Sequence, residues 1–177
     1  MSRTSGYLAI GAGLLAALTA STVAFSHGKA TGIVKERMDS MIVLRDAAKA
    51  LGQMMKGATP YDAEAVRTHA KTIRAHSGEA LTSKFPQGSG GMPSEAKEEI
   101  WSDWDAFRAY AERMEILAGG LAEAADNGIM RDMGGHSMND DDNLDPAMLA
   151  AMPADGVFMM IGKTCSACHE KFRQKMD

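Results

Sequence analysis

The chain has little with which to build a sheet or a disulfide framework. Aromatic residues are only 6% of the composition, and there are 2 cysteines in 177 residues, so a scaffold of disulfide staples is excluded and the core must be mostly aliphatic. Runs rich in Val, Ile and Thr, the residues that favour strands, are almost absent. Basic residues are in slight deficit: 19 Lys and Arg against 23 Asp and Glu give a net charge of -4, with no basic stripe. That argues against nucleic acid as a partner, because phosphate binding needs clustered cations. No nucleophile, base and oxyanion arrangement is visible either, so side-chain catalysis has no candidate. What is plentiful is alanine together with 15 methionines, the composition of an all-α protein.

The apolar residues fall into four helical stretches. The first runs from about Thr31 to Lys56, with Ile33, Met41, Leu44, Ala48, Leu51 and Met55 recurring at three- and four-residue steps. Gly57 and Pro60 stop it. The second starts at the N-cap Asp62, carries Val66, Ala70, Ile73 and Leu81 on its inner face, and ends before Phe85-Pro86. A Gly-rich loop, Gln87 to Pro93, leads to the third, where Ser94 is the expected cap and Glu95, Glu98 and Glu99 suit the positive end of the dipole. Ile100, Trp104, Phe107, Met114, Leu117 and Leu121 continue it to Asn127-Gly128. Residues 129–145, with Gly134-Gly135 and five Asp or Asn in a row from Asn139 to Asn143, read as an exposed loop. A short turn is expected after Asp145-Pro146, and Pro153 marks the entry to a last helix over Ala154 to Lys175. Four amphipathic helices with short links predict an antiparallel four-helix bundle, a fold that builds cofactor sites between facing helices.

Both cysteines sit in that last helix, in Cys165-Ser166-Ala167-Cys168-His169. Cys-x-x-Cys-His is the attachment signature of a c-type haem: each thiol adds to one vinyl group, and the adjacent imidazole can bind iron axially. Structural zinc and dithiol redox motifs also use Cys-x-x-Cys. Zinc commonly needs a second Cys or His pair, and His27, His69, His76 and His136 are scattered. A disulfide across two intervening residues would be a redox-active bond rather than a staple. Phe158, Ile161, Cys165, Cys168 and Phe172 step by three and four, so the two sulfurs share a stripe with core residues and the porphyrin is expected to face into the bundle near the C-terminal helix.

Residues 1–26 read as a cleaved secretory signal: Arg3, an almost uncharged run from Tyr7 to Ala20, then small residues at Thr22-Val23-Ala24 or Ala24-Phe25-Ser26. A retained anchor is the alternative, since Tyr7 to Phe25 is about 19 residues, near a membrane span; Gly, Ser and Thr dilute the run and favour cleavage. Export to the periplasm fits covalent haem attachment. The mature chain, 27–177, is then a single haem domain with a loop insertion at about 129–145 and no stable membrane insertion.

Three stretches give the chain a family likeness: Lys56-Gly57-x-x-Pro60-Tyr61-Asp62, Ile100-Trp101, and Phe158-x-x-Ile161-Gly162-x-x-Cys165-x-x-Cys168-His169-x-x-x-Arg173. With them the chain resembles the class II c-type cytochromes, cytochrome c-prime and its low-spin, methionine-ligated relatives. The likeness spans essentially the whole mature chain, and its tail is the specific part; the acidic loop near 130–145 departs from the family by its length. The resemblance implies one haem c held by Cys165 and Cys168, with His169 as axial ligand. It also implies a first-helix residue facing the open side of the haem, apolar where the iron takes up small gases and methionine where the sixth position is closed. Counting back from Lys56-Gly57 puts that position at Met41, with Met38 one turn earlier as runner-up. Met54, Met55, Met114, Met159 and Met160 are assigned to core or surface. Arg173, one turn beyond His169, is a candidate for the haem edge or propionates, although the helix dipole explains it equally.

The reading that follows is a periplasmic mono-haem electron carrier, not an enzyme, with iron on His169 and Met41 and with redox proteins as transient partners at the haem edge. A mildly acidic carrier would prefer a basic docking patch. The alternative is a five-coordinate protein of the c-prime type that binds gases such as nitric oxide. Pairing of two bundles into a homodimer is left open. Met130, Met133, His136 and Met138 form a softer set whose thioether and imidazole groups suit copper(I); an ordinary loop is the simpler account. Trp101 and Trp104 are read as packing residues, His69 and His76 as surface histidines.

Overall fold

The computed structural model describes residues 30–130 and 144–175. The signal segment, most of the insertion and the last two residues lie outside the described residues, as do Met133, His136 and Met138. The element order is α1 (Gly32–Met55), α2 (Ala63–Ala75), α3 (Gly78–Thr82), α4 (Glu99–Ser102), α5 (Trp104–Glu123), a 3₁₀ turn (Ala124–Asn127), α6 (Pro146–Ala151) and α7 (Ala154–Phe172). The four long helices α1, α2, α5 and α7 form the bundle, with α5 packed broadly on both α2 and α7. No helix among the described residues is long and apolar enough to cross a membrane.

The helix ends follow from local chemistry. Beyond α1, the Gly57 N–H donates to Met54 O at 3.0 Å and the Ala58 N–H to Gln53 O at 2.8 Å. This Schellman pattern needs a left-handed residue, and Gly57 supplies it at φ 72°. Asp62 caps α2 by accepting from the Ala65 N–H at 2.9 Å, and Asp145 caps α6 by accepting from Met148. The Tyr61 hydroxyl donates to Ala125 O at 2.5 Å, tying the start of α2 to the end of α5. Where the insertion leaves and returns, the chain is pinned: Ala154 N–H donates to Gly128 O at 2.9 Å, and the Asn127 amide donates to Ala150 O and Met152 O, both at 2.7 Å.

Expectations for the second, third and last helices need correction. The second helix is not continuous: it breaks at His76-Ser77, and Gly78 at φ 56° opens the separate α3. Ile73 and Leu81 are both buried, one on each side of the break, so the apolar spacing gives no sign of it. Ser94 caps no helix; residues 95–97 instead run beside the C-terminal end of α7, and the Ser94 hydroxyl accepts from the Ala96 N–H at 3.2 Å. Asp103, at ψ 55°, then separates α4 from α5. The last helix ends at Phe172 rather than Lys175, because the next residues turn to pair with Glu95 and Lys97.

Two buried clusters fill the interior. The larger is aliphatic, with Leu51, Val66, Ile73, Leu117, Leu121, Leu149, Val157 and Ile161 almost wholly removed from water. Each such side chain contributes about 1.5–3 kcal/mol by burial. The smaller lies toward the C-terminal end of α7 and is aromatic: Phe85, Phe107 and Phe172 with Leu81, Ile100, Ala96 and Ala111. Phe107 is its hub, with ring centroids 4.8 Å from Phe85, 5.5 Å from Phe172 and 5.6 Å from Trp104.

Candidate functional site

The two cysteines stand at the junction of these clusters. Cys165 and Cys168, three residues apart on α7, share a face; Cys165 packs against the aliphatic cluster and Cys168 against the aromatic one. Both are free and half-buried. Burial pushes both thiols up, and Cys168, which also feels Cys165, to about 11. A redox-active dithiol needs a depressed thiol pKa, so this environment does not suit disulfide exchange.

His169 reaches the surface at the last turn of α7. Its imidazole is nevertheless held below its ordinary pKa, first by partial burial and then by the charge of Arg173, with Glu95 acting in the opposite sense. The neutral ring that results is the form that can offer a lone pair to a metal. Arg173 itself is taken: its Nε donates to Glu95 Oε2 at 2.5 Å. It makes no described contact with Cys165 or Cys168.

Across the bundle, Met41 is half-buried in the aromatic cluster, the same cluster as Cys168. Gly52, three turns further along α1, faces the Phe158 ring, which a Cβ at that position would meet at 3.6 Å. The flank of α1 that carries Met41 therefore runs antiparallel to α7, with Gly52 opposite Phe158 and Met41 toward Cys168. Met38 is half-buried but packs into neither cluster. Of the remaining methionines, Met54 and Met114 are core, whereas Met159 is 41% exposed.

Arg37 was not singled out from the sequence. It is 4% exposed, one turn before Met41 on α1. Its Nη2 donates to Ser89 O at 2.6 Å and to Ser89 Oγ at 2.9 Å, and its guanidinium stacks on Phe85 with the carbon 4.6 Å from the ring centroid. Among the described residues its Nε is buried without a partner, and its hydrogen-bond acceptors are all uncharged. A buried cation without a counter-charge is costly. It sits where the stripe from Ile33 to Met41 skips a turn, so a charge in the middle of an apolar stripe was the available signal. Of the histidines set aside, His76 Nδ1 is 2.8 Å from the buried Ser40 Oγ and joins α1 to the α2–α3 break.

The donor set fits a haem. Two free thiols point to one face, a neutral imidazole follows them, and aromatic walls surround an uncompensated buried cation suited to the porphyrin's carboxylates. Comparison with known proteins agrees. Residues 32–140 match the family model described as Cytochrome C'. Cytochrome c' of Pararhodospirillum photometricum is 35% identical, covering 80% of this chain and 95% of that protein. Cytochrome c-556 of an Agrobacterium tumefaciens strain is 30% identical over 81% of this chain and 98% of its own length. Among solved structures, cytochrome c prime from Shewanella frigidimarina superposes with a TM-score of 0.62 at 22% identity, and the nitric oxide complex of a variant of the Alcaligenes xylosoxidans protein with 0.61 at 24%; each covers 81% of this chain and 94% of the other, and supports the fold. The chain is therefore a haem c protein with the four-helix architecture expected of it, and it belongs to the cytochrome c' family.

Proposed function

We propose that the mature protein, residues 27–177 after loss of the 1–26 signal, is a periplasmic mono-haem protein that takes up a small neutral gas such as nitric oxide. When bound, the haem would supply an iron centre able to take up the gas, and a one-electron couple. Cys165 and Cys168 would anchor it as thioethers, each S–H adding across one vinyl group, so no oxidant would be consumed. His169 would bind the iron, and Arg37, whose Nε is unpartnered among the described residues, would meet a propionate.

The observation that carries this reading is the apolar setting of Met41, among Leu81, Phe85, Phe107 and Phe172. Such walls penalise water and anions, which would lose hydrogen bonds on entry, and leave neutral diatomics as the favoured guests. The relatives named cytochrome c' support the same reading, as does the nitric oxide complex of one structural neighbour. The methionine-ligated carrier expected from sequence is thereby displaced to second place. One observation still favours it: Met41 shares its cluster with Cys168. Electron exchange with periplasmic redox proteins, and pairing of two bundles, are compatible with either reading.

Absorption spectra of the purified protein, oxidised and reduced, with and without carbon monoxide, test the proposal. A high-spin spectrum that shifts with the gas is expected. A low-spin spectrum that ignores it, and that becomes gas-sensitive in Met41→Ala, would replace it with the carrier.

A further inference from the structure

The C-terminal end of α7 is held by a segment the function described so far does not use. Residues 95–97 run antiparallel to 172–174: the Lys97 N–H donates to Phe172 O at 3.0 Å, and the Gln174 N–H to Glu95 O at 2.8 Å. Lys97 Nζ adds bonds to the Glu170 and Lys171 carbonyls at 3.1 and 3.2 Å, which meets the unpaired carbonyls at the helix end. Within this clamp one pair is of charged side chains. Arg173 Nε meets Glu95 Oε2 at 2.5 Å; the Glu95 side chain is 23% exposed, the Arg173 side chain 51%.

We propose that Glu95 is a positioning residue for the His169 side of the site: by pairing with Arg173 it holds that guanidinium beside the clamp and cancels its charge at the iron ligand, and so keeps the reduction potential low. The inference rests on the reading of His169 as axial ligand. Arg173 follows His169 by four residues, one helical turn, so its natural direction without a partner is along the His169 face. The Arg173 N–H donates to His169 O at 3.0 Å and its guanidinium meets Glu95 at 2.5 Å, so the pair stands against the turn that carries the imidazole. A positive charge near the iron disfavours the ferric state, which carries one more positive charge than the ferrous. An ion pair whose Arg173 side is half in solvent adds little to stability, so its consequence is electrostatic rather than structural.

The test uses haem-loaded protein and redox titration. Glu95→Gln raises the potential, while Glu95→Asp, which keeps the charge, returns most of the shift. In an Arg173→Gln background, the rise caused by Glu95→Gln shrinks at least twofold, because the guanidinium it would release is gone. Slow hydrogen exchange at the Lys97 and Gln174 amides in Glu95→Gln shows that the backbone clamp survives. An unchanged potential, or an equal rise in both backgrounds, overturns the role of Glu95. His169→Ala separates the underlying reading: if it leaves the haem spectrum unaltered, His169 is not the ligand and this inference falls with it; if it alters the spectrum while Glu95→Gln moves no potential, the Glu95 role alone is overturned.

Discussion

The two clusters of the bundle solve different problems with the same helices. The aliphatic end closes on itself: Leu51, Leu117, Leu121, Leu149 and Val157 are fully buried and polar atoms are few. The aromatic end does not. It leaves Met41, Trp101, Trp104 and Cys168 half-buried, and it encloses an arginine with an unpartnered Nε. One end is packed by its own chain and the other is shaped for a guest, and α7 carries a cysteine to each. Fold stability and cofactor binding are thus partly separated along the bundle.

Substitutions at the two ends should break or sharpen that contrast. The largest effect is expected from Cys165→Ala combined with Cys168→Ala: haem colour that survives acid-acetone extraction of the wild type disappears, while circular dichroism still reports helix. Next is Leu117→Ala, which leaves a cavity in the closed end and costs about 3 kcal/mol. Denaturant titration should give a similar loss with and without haem. Phe172→Ala, at the open end, should cost distinctly more in the loaded protein.

Arg37→Met sharpens the contrast by a change of sign. Burial holds this guanidinium below its ordinary pKa, and removing a buried cation in favour of an apolar side chain is often neutral or stabilising. Haem-free protein should therefore be as stable as wild type or more so, whereas the loaded protein should lose stability with its propionate partner. Equal effects on both forms would contradict the role given to Arg37.

The smallest effect concerns the tie between the ends of α7 and α5. Lys171 Nζ donates to Asp103 Oδ2 at 2.5 Å and holds the Asp103 carboxyl below the usual aspartate range. A depressed carboxyl stabilises the fold above its unfolded pKa, about 3.9, and that contribution is lost as the pH falls through the lower folded value. Asp103→Asn should remove a small part of the acid sensitivity of unfolding, seen in denaturant titrations between neutral pH and pH 3, and leave the aliphatic end untouched.

Much of this was legible in the residues because it is written in local chemistry. Gly57 with Pro60, Asp62, Asn127-Gly128, Asp145-Pro146 and Pro153 punctuate helices where the structure has them, since caps and stops act over one turn. The Cys-x-x-Cys-His spacing is local in the same sense. What was missed depends on contacts between distant segments. Ser94 has the chemistry of a cap, yet its stretch is drawn into pairing with residues 172–174, more than 70 positions away. The inward stripe of α1 reads Arg37, Ser40, Ala47, Leu51 and Met54, turned by roughly one residue from the expected one, because Arg37 and Ser40 find polar partners at Ser89 and His76. An apolar pattern marks Arg37 only as a gap in the stripe; the Ser89 and Phe85 groups that receive it lie on another segment. The same holds for Arg173, whose partner Glu95 lies on another segment altogether.

The central claim is covalent: one haem stitched to α7 through both thiols. Intact mass spectrometry of mature protein, made in a host that carries out cytochrome c maturation, tests it most directly. The account predicts the mass of the cleaved chain plus one haem, retained under denaturing conditions. A mass equal to that of the polypeptide alone would contradict it.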